Sequence, residues 1–295
     1  VDEQSLSFRL LVILFPIFGI IAAGFFYGRK HKPEMAVANR LNMDIFIPAV
    51  VFSAMAGKSI DLATYAPLAL GGFLVLATCG LLAWPVARML GIQPKTLVPP
   101  MMFNNSGNIG LPLAVLAWGE NALPAAVILF MVENTLHFSF GARLLDSTTR
   151  LLTLWRVPVV FAAIAGLTVA LLKLSMWAPL MIGIKMLGDI SVPLLLFSLG
   201  VRMTDVSFSE WKVAVGSALL RPVAGMLVAA GIIHVLGLQG RDAAMLFVFG
   251  ALPPAVLNFL FAERYKQEPH RVASIVLIGN LAALLFLPLA LAYVL

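Results

Sequence analysis

The 295-residue sequence holds one cysteine, four histidines and few charges, Asp, Glu, Lys and Arg together making only 12% of it. A lone thiol, Cys79, in an apolar segment excludes a disulfide framework and a cysteine-based metal site, and reads as a small core hydrophobe. No His-Glu-x-x-His helix for zinc is present, and no cofactor or resident metal is expected. The shortage of charge excludes more. With 61% hydrophobic residues and a mean hydropathy of +0.99, the chain has too little polar surface to clothe a water-soluble globule. The class is an all-α polytopic membrane protein.

What is abundant is apolar sequence in long runs. A spanning helix needs roughly 20 mostly apolar residues, and ten such segments are predicted, near 8–28, 38–57, 64–89, 97–118, 121–145, 157–173, 182–202, 212–236, 243–262 and 272–294. The first lacks a small-residue cleavage site and leads straight into further spans, so it reads as a span rather than a signal peptide. Alternate connections collect Arg29, Lys30, Lys32 and Arg40; Arg88 and Lys95; Arg143, Arg150 and Arg156; Arg202 and Lys212; and Arg264, Lys266 and Arg271. Basic residues stay on the cytoplasmic side. Both termini are therefore expected outside the inner (plasma) membrane, and the net charge of +6 is topological. Its partners are lipid headgroups rather than nucleic acid.

The sequence also repeats. "DIFIPAVVFS" (Asp44 to Ser53) matches "DISVPLLLFS" (Asp189 to Ser198) at a separation of 145, while "LGIQ" (Leu90 to Gln93) meets "LGLQ" (Leu236 to Gln239), and Asn134 meets Asn280, at 146. Two halves, 1–150 and 151–295, follow. An odd number of spans per half inverts the second copy, an architecture common among secondary transporters. The same offset lays "FNNSGNIGLPL" (Phe103 to Leu113) on "FGALPPAVLNF" (Phe249 to Phe259), stretches full of helix breakers amid apolar sequence. Spans 4 and 9 are thus expected to break near their middle. Broken backbone is tolerated at that depth only where protein or a water-filled cavity satisfies it. Half-helix N-termini there present unpaired N–H groups and partial positive charge, suited to a carboxylate.

At these residues the sequence resembles the auxin efflux carrier family, which includes bacterial organic-acid carriers and the plant PIN auxin transporters. "NNSGNIGLPLA" (Asn104 to Ala114) and "ALPPAVLNFLFAERY" (Ala251 to Tyr265) are similar to its two crossovers, and "IPAVVFS" (Ile47 to Ser53) to its second-span signature. The resemblance covers the whole chain and implies ten helices in a scaffold and a transport domain. It further implies crossed helices 4 and 9, as in sodium/proton exchangers and bile-acid symporters, with elevator-type movement and a homodimer. Asn104 stands where plant members commonly have proline, Asn258 stands where they have a second proline in the ninth-span motif, and their long cytoplasmic loop is missing. These departures favour a compact carrier of small organic acids such as malonate or malate over one of auxin itself.

Asn104, Asn105, Ser106, Asn108 and Asn258 are the candidate substrate contacts, with Arg221 as a cation for an anionic substrate or a partner of Glu133. Gly107, Gly110, Pro112, Pro253 and Pro254 shape the breaks. Glu133 and His137, at i and i+4, form either a proton-carrying or a structural pair. Asp44 and Asp189 are candidates for gating or proton coupling, or carboxylates placed early in their helices to complement the dipole. Asn134 and Asn280 are expected to staple helices together. Coupling to H+ or to Na+ held at the crossover stays open, as do sodium symport of the bile-acid type and Na+/H+ exchange. A passive channel suits duplicated broken helices less well than alternating access. An intramembrane enzyme fares worse, since Ser106 lacks a Gly-x-Ser-Gly setting.

Overall fold

The computed structural model describes residues 5–56, 62–147, 158–205 and 210–295. Lys58, Arg150 and Arg156, and most of the connection expected between spans 5 and 6, lie outside the described residues. The described α-helices are α1 (Leu6–His31), α2 (Ala36–Leu41), α3 (Ile47–Ala56), α4 (Leu62–Met89), α5 (Pro94–Met102), α6 (Leu111–Trp118) and α7 (Leu123–Leu136). They continue as α8 (Ala142–Leu145), α9 (Pro158–Leu171), α10 (Ala178–Arg202), α11 (Trp211–Leu236), α12 (Gly240–Ala251), α13 (Leu257–Arg264) and α14 (Pro269–Val294).

Helix ends follow from local sequence. Ser5 accepts from the Phe8 N–H at 3.2 Å and opens α1; Arg29, Lys30 and His31 complement its C-terminal dipole, and Lys32 closes it in the left-handed region. Gly237 ends α11 with a positive φ of 63°. Among the described residues, three π-helical turns interrupt the regular pattern, at Asn42–Phe46, Ser106–Gly110 and His137–Gly141.

Among the described residues, six helical segments are long and apolar enough to cross a membrane: Leu6–His31, Thr64–Met89, Glu120–Leu145, Ala178–Arg202, Trp211–Leu236 and Pro269–Val294. Shorter apolar helices cover Ser106–Trp118 and Pro158–Leu171. Phe15, Phe26, Phe161, Leu227, Leu285 and Tyr293 stand exposed on their outer faces. In water such a surface would be an aggregation patch, whereas lipid tails solvate it. The protein is a multi-pass membrane protein.

The helices pack as two groups. One contains α1, α3, α9 and α10; the other contains α4, α5, α7, α11, α12 and α14. Close approach within each depends on glycine. A Cβ on Gly24 or Gly200 would strike the backbone of the facing helix in the α1/α10 pair, and the same holds for Gly225 and Gly250 in the α11/α12 pair. Without side chains in the way, backbones come near enough for dispersion to hold helices in a solvent as apolar as they are.

Asp44 and Asp189 do not sit early in their helices. Helix runs unbroken from Ala36 through the Asn42–Phe46 turn to Ala56, and α10 starts at Ala178 with Pro179 in its first turn. Asp189 is thus about three turns along. Its partner is a side chain, Lys185, at 3.2 Å; Asp44 meets Arg40 at 3.6 Å.

Candidate functional site

Helices α5 and α12 stop because their backbones turn extended. Phe103 has φ −91° and ψ 121°, and Leu252 has φ −58° and ψ 141°. Pro253 and Pro254 impose this on the second segment, since a proline disfavours helix in the residue before it. The two extended pieces then pair, antiparallel, as a bridge between Asn104 and Pro254. The Asn105 N–H donates to the Pro253 carbonyl at 2.7 Å, and the Ala255 N–H donates to the Phe103 carbonyl at 3.0 Å. Each chain thereby satisfies backbone that the other's break had freed.

The asparagines reinforce the crossing reciprocally. The Asn104 amide donates to the Phe249 carbonyl at 2.7 Å, and the Asn258 amide donates to the Phe103 carbonyl at 3.1 Å. Asn105 donates to Asn280 Oδ1 at 2.8 Å, and Asn280 donates in turn to the Pro254 carbonyl at 3.0 Å. Asn280 therefore ties α14 to both broken segments, as a staple. Asn134 and Asn280 each donate to the carbonyl four residues back in their own helix, to Phe130 at 3.0 Å and to Val276 at 2.7 Å, and among the described residues Asn280 alone of the two also bonds across helices.

A cavity of about 130 Å³ opens at the crossing. Asn104, Asn105, Gly107 and Asn108 line it from the first break, Ala255, Val256 and Leu257 from the second, and Phe130, Glu133 and Asn134 from α7. The opposite wall belongs to the other helix group, through Asn39, Met43, Ser198, Leu199 and Arg202. Both half-helix N-termini thus open on one space. Their first N–H groups lack intrahelical acceptors, so the space favours an anion. Among the described residues, the Asn108 side chain has no hydrogen-bond partner, although it faces this cavity.

A chain of polar side chains runs from the Glu133 wall into the crossing. Ser106 Oγ donates to Glu133 Oε2 at 3.4 Å, and Glu133 Oε1 is 2.9 Å from His137 Nδ1. The His137 ring stacks on Phe103 at 4.1 Å between centroids, and its Nε2 is buried without a hydrogen-bond partner. The i, i+4 pair anticipated from spacing is therefore formed, within the crossing itself.

Arg221 does not line this cavity. It is fully buried, and its Nη1 donates to the Gly250 carbonyl at 2.8 Å, at the C-terminal end of α12. Glu133 is paired with His137 instead of Arg221. The guanidinium complements a half-helix whose C-terminal carbonyls carry partial negative charge. Pro112 and Asp189 line a second, larger cavity of about 570 Å³, also between the two helix groups, together with Glu120 and Lys185. Gly110 and Ser106 border a small void beside Leu252. Sequence reading missed Asn39, Ser198 and Arg202. The available signal was the i, i+4 spacing of Ser198 and Arg202 on one face, where Ser198 donates to Asn39 Oδ1 at 2.6 Å.

A model of the family described as membrane transport protein matches residues 143–291, half of the chain. The chain belongs to this family, that of the auxin efflux carriers. Among its relatives, an uncharacterized transporter of Methanothermobacter thermautotrophicus is 26% identical over 97% of this chain and 96% of its own. A putative malonate transporter of Rhizobium meliloti is 24% identical over 91% of each chain. Auxin efflux carrier component 6 of Arabidopsis thaliana is 25% identical over 58% of this chain and 29% of its own. This member of the membrane transport protein family is a transporter and not an enzyme.

Proposed function

We propose that this carrier moves a small organic anion and holds it where the two broken helices cross. The observation that carries this is the cavity onto which both half-helix N-termini open, with Asn105 and Asn108 on its wall. A site that presents N–H donors and amides suits a carboxylate. At about 130 Å³ the space is well below the roughly 300 Å³ at which drug-sized ligand sites begin. A compact acid such as malonate or malate fits that volume better than an indole acid does.

The fold reading behind this is ten spans in two inverted repeats, 1–150 and 151–295. The carbonyls of Phe103 and Phe249, repeat mates at a separation of 146, each accept an asparagine amide from the opposite half, which supports it, although the donors Asn104 and Asn258 are not themselves mates. The group containing α1, α3, α9 and α10 serves as the scaffold, through which the carrier forms homodimers. The other group carries the crossing as the transport domain and slides past the scaffold in an elevator motion. Cavities on either side of the crossing, both along the seam between the groups, support that motion. With Arg29, Lys30 and Arg40 on the cytoplasmic side of the inner membrane, the smaller cavity opens inward and both termini lie outside.

Sodium coupling is a second reading. The buried Oδ1 atoms of Asn104 and Asn258 have no hydrogen-bond donor, and hard cations take oxygen ligands of this kind.

The test is a thermal-shift titration of the purified carrier with malonate, malate and indole-3-acetate, with and without Na+. A ligand at 100 times its Kd adds about 2.7 kcal/mol to the folded state. The expected result is stabilisation by malonate or malate that disappears in Asn108→Ala, which removes no internal hydrogen bond, and in Asn105→Ala. Stabilisation undiminished in both variants would move the site away from the crossing. A malonate response that requires Na+ would favour the sodium-coupled reading.

A further inference from the structure

Away from the two cavities already described, the seam between the helix groups is apolar. There α1, α10 and α14 enclose a groove of about 640 Å³, within the range of ligand sites. Buried Ile21, Leu199 and Met203 form its floor, and exposed Phe26, Leu281 and Leu284 form its banks. Its ends differ in chemistry. Phe18 and Asn280 lie near the middles of the spanning helices α1 and α14, whereas Arg29 stands in the last turn of α1. Phe18 and Arg29 are eleven residues apart, about 16 Å along the helix, and half of the hydrocarbon core is roughly 15 Å. The groove therefore runs from one headgroup layer to the membrane midplane, the reach of an acyl chain in one leaflet. Arg29 was expected only to set topology, with Lys30 and Lys32. It lines the groove as they do not, and among the described residues it has no hydrogen-bond or ion-pair partner. No acidic side chain among the described residues lines the groove with it.

We propose that this groove binds one anionic phospholipid, with an acyl chain lying between the helix groups and the phosphate held by Arg29. Arginine suits the task because its planar fork pairs with two phosphate oxygens at once and stays charged at any working pH. Every phospholipid offers the chain and the phosphate, but a zwitterionic head also brings an ammonium that the arginine repels. An anionic head is therefore preferred, as at other basic pockets between spanning helices. Because both groups supply walls, the bound lipid stabilises the arrangement in which they meet. The site is separate from the crossing and does not depend on which substrate is held there.

Native mass spectrometry of the purified, delipidated carrier, mixed with equal amounts of dioleoyl phosphatidylglycerol and dioleoyl phosphatidylcholine, tests this. The first lipid adduct of wild type is expected to hold phosphatidylglycerol in about tenfold excess, the size of a hydrogen bond to a charged group. Arg29→Gln should bring the two lipids to near parity, while Lys30→Gln, which removes the same charge outside the groove, should leave the excess in place. Ala22, exposed within the groove, is where a large side chain blocks the path of the lipid chain. Ala22→Trp should remove the tight adduct, and Leu284→Trp serves where that variant does not fold. Glycerol 3-phosphate, a headgroup without a chain, should not bind. Parity in wild type would overturn the proposal, as would an excess unmoved in Arg29→Gln, an equal fall in Lys30→Gln, or a tight adduct that persists when the groove is blocked. Glycerol 3-phosphate bound as tightly as the lipid would reduce the site to a plain anion contact and overturn it as well.

Discussion

At the scale of residues, the crossing is a set of asparagines doing several different things. Asn104, Asn258 and Asn280 spend their amide N–H groups on backbone carbonyls, whereas Asn108 faces the cavity uncommitted. Glu133 is a buried carboxylate held between Ser106 and His137, on the cavity wall, and that position suits a proton carrier. Glu133→Gln keeps the shape and hydrogen-bonding reach but cannot ionise. Its expected outcome is substrate binding close to wild type with uptake in proteoliposomes no longer driven by a pH gradient. A retained response to the gradient would assign the Glu133–His137 pair to structure. Their pairing was legible from i, i+4 spacing alone. The division of labour among the asparagines was not, because it depends on which carbonyls the opposite half brings within reach.

At the scale of elements, broken helices need their loose ends covered by something rigid. The C-terminal end of α12 is covered by Arg221, which reaches the Gly250 carbonyl because Gly225 and Gly250 let α11 and α12 nearly touch. Adding a methyl group there drives backbone into backbone. Gly250→Ala is therefore expected to destabilise the folded carrier by about 1 to 3 kcal/mol, the usual cost of overpacking, and to lower its unfolding temperature in detergent by several degrees. An unchanged unfolding temperature would show that the helices part without loss. Sequence reading located both breaks through their glycines and prolines. It left Arg221 as a cation for an anionic substrate or a partner of Glu133, since any arginine inside a span invites such readings; only the close α11/α12 approach reveals a carbonyl as its partner.

At the scale of the whole molecule, the two helix groups are also linked by charge. Lys185 of α10 lies 3.5 Å from Glu120, beside α7 of the other group, and 3.2 Å from Asp189. These side chains are substantially exposed, so the pairs are a weak latch, worth about 1 kcal/mol or less each. They mark a place where the two groups would separate in the proposed sliding motion. A Glu120→Cys/Lys185→Cys variant joined by a short bis-maleimide is expected to bind substrate but fail to transport it, while either single variant treated alike transports normally. The one native thiol, Cys79, is buried and leaves the background clean. Transport unimpeded by the link would rule out relative motion of the groups at this point.

The sequence by itself determined the membrane environment, the apolar segments and the location of both breaks, because these depend on local composition: lipid demands apolar side chains, and glycine and proline disrupt a helix wherever they stand. It also determined the Glu133–His137 pair, which one helix face dictates. Tertiary structure alone decided that Arg202 and Asn39 meet the crossing, that Arg221 caps a half-helix, and that Asp189 belongs to a second cavity. Each of these facts joins residues far apart in the chain. In an almost uniformly apolar sequence no side-chain pattern records which helix faces which; the close packing of small residues settles it, and that packing exists only once the helices are assembled.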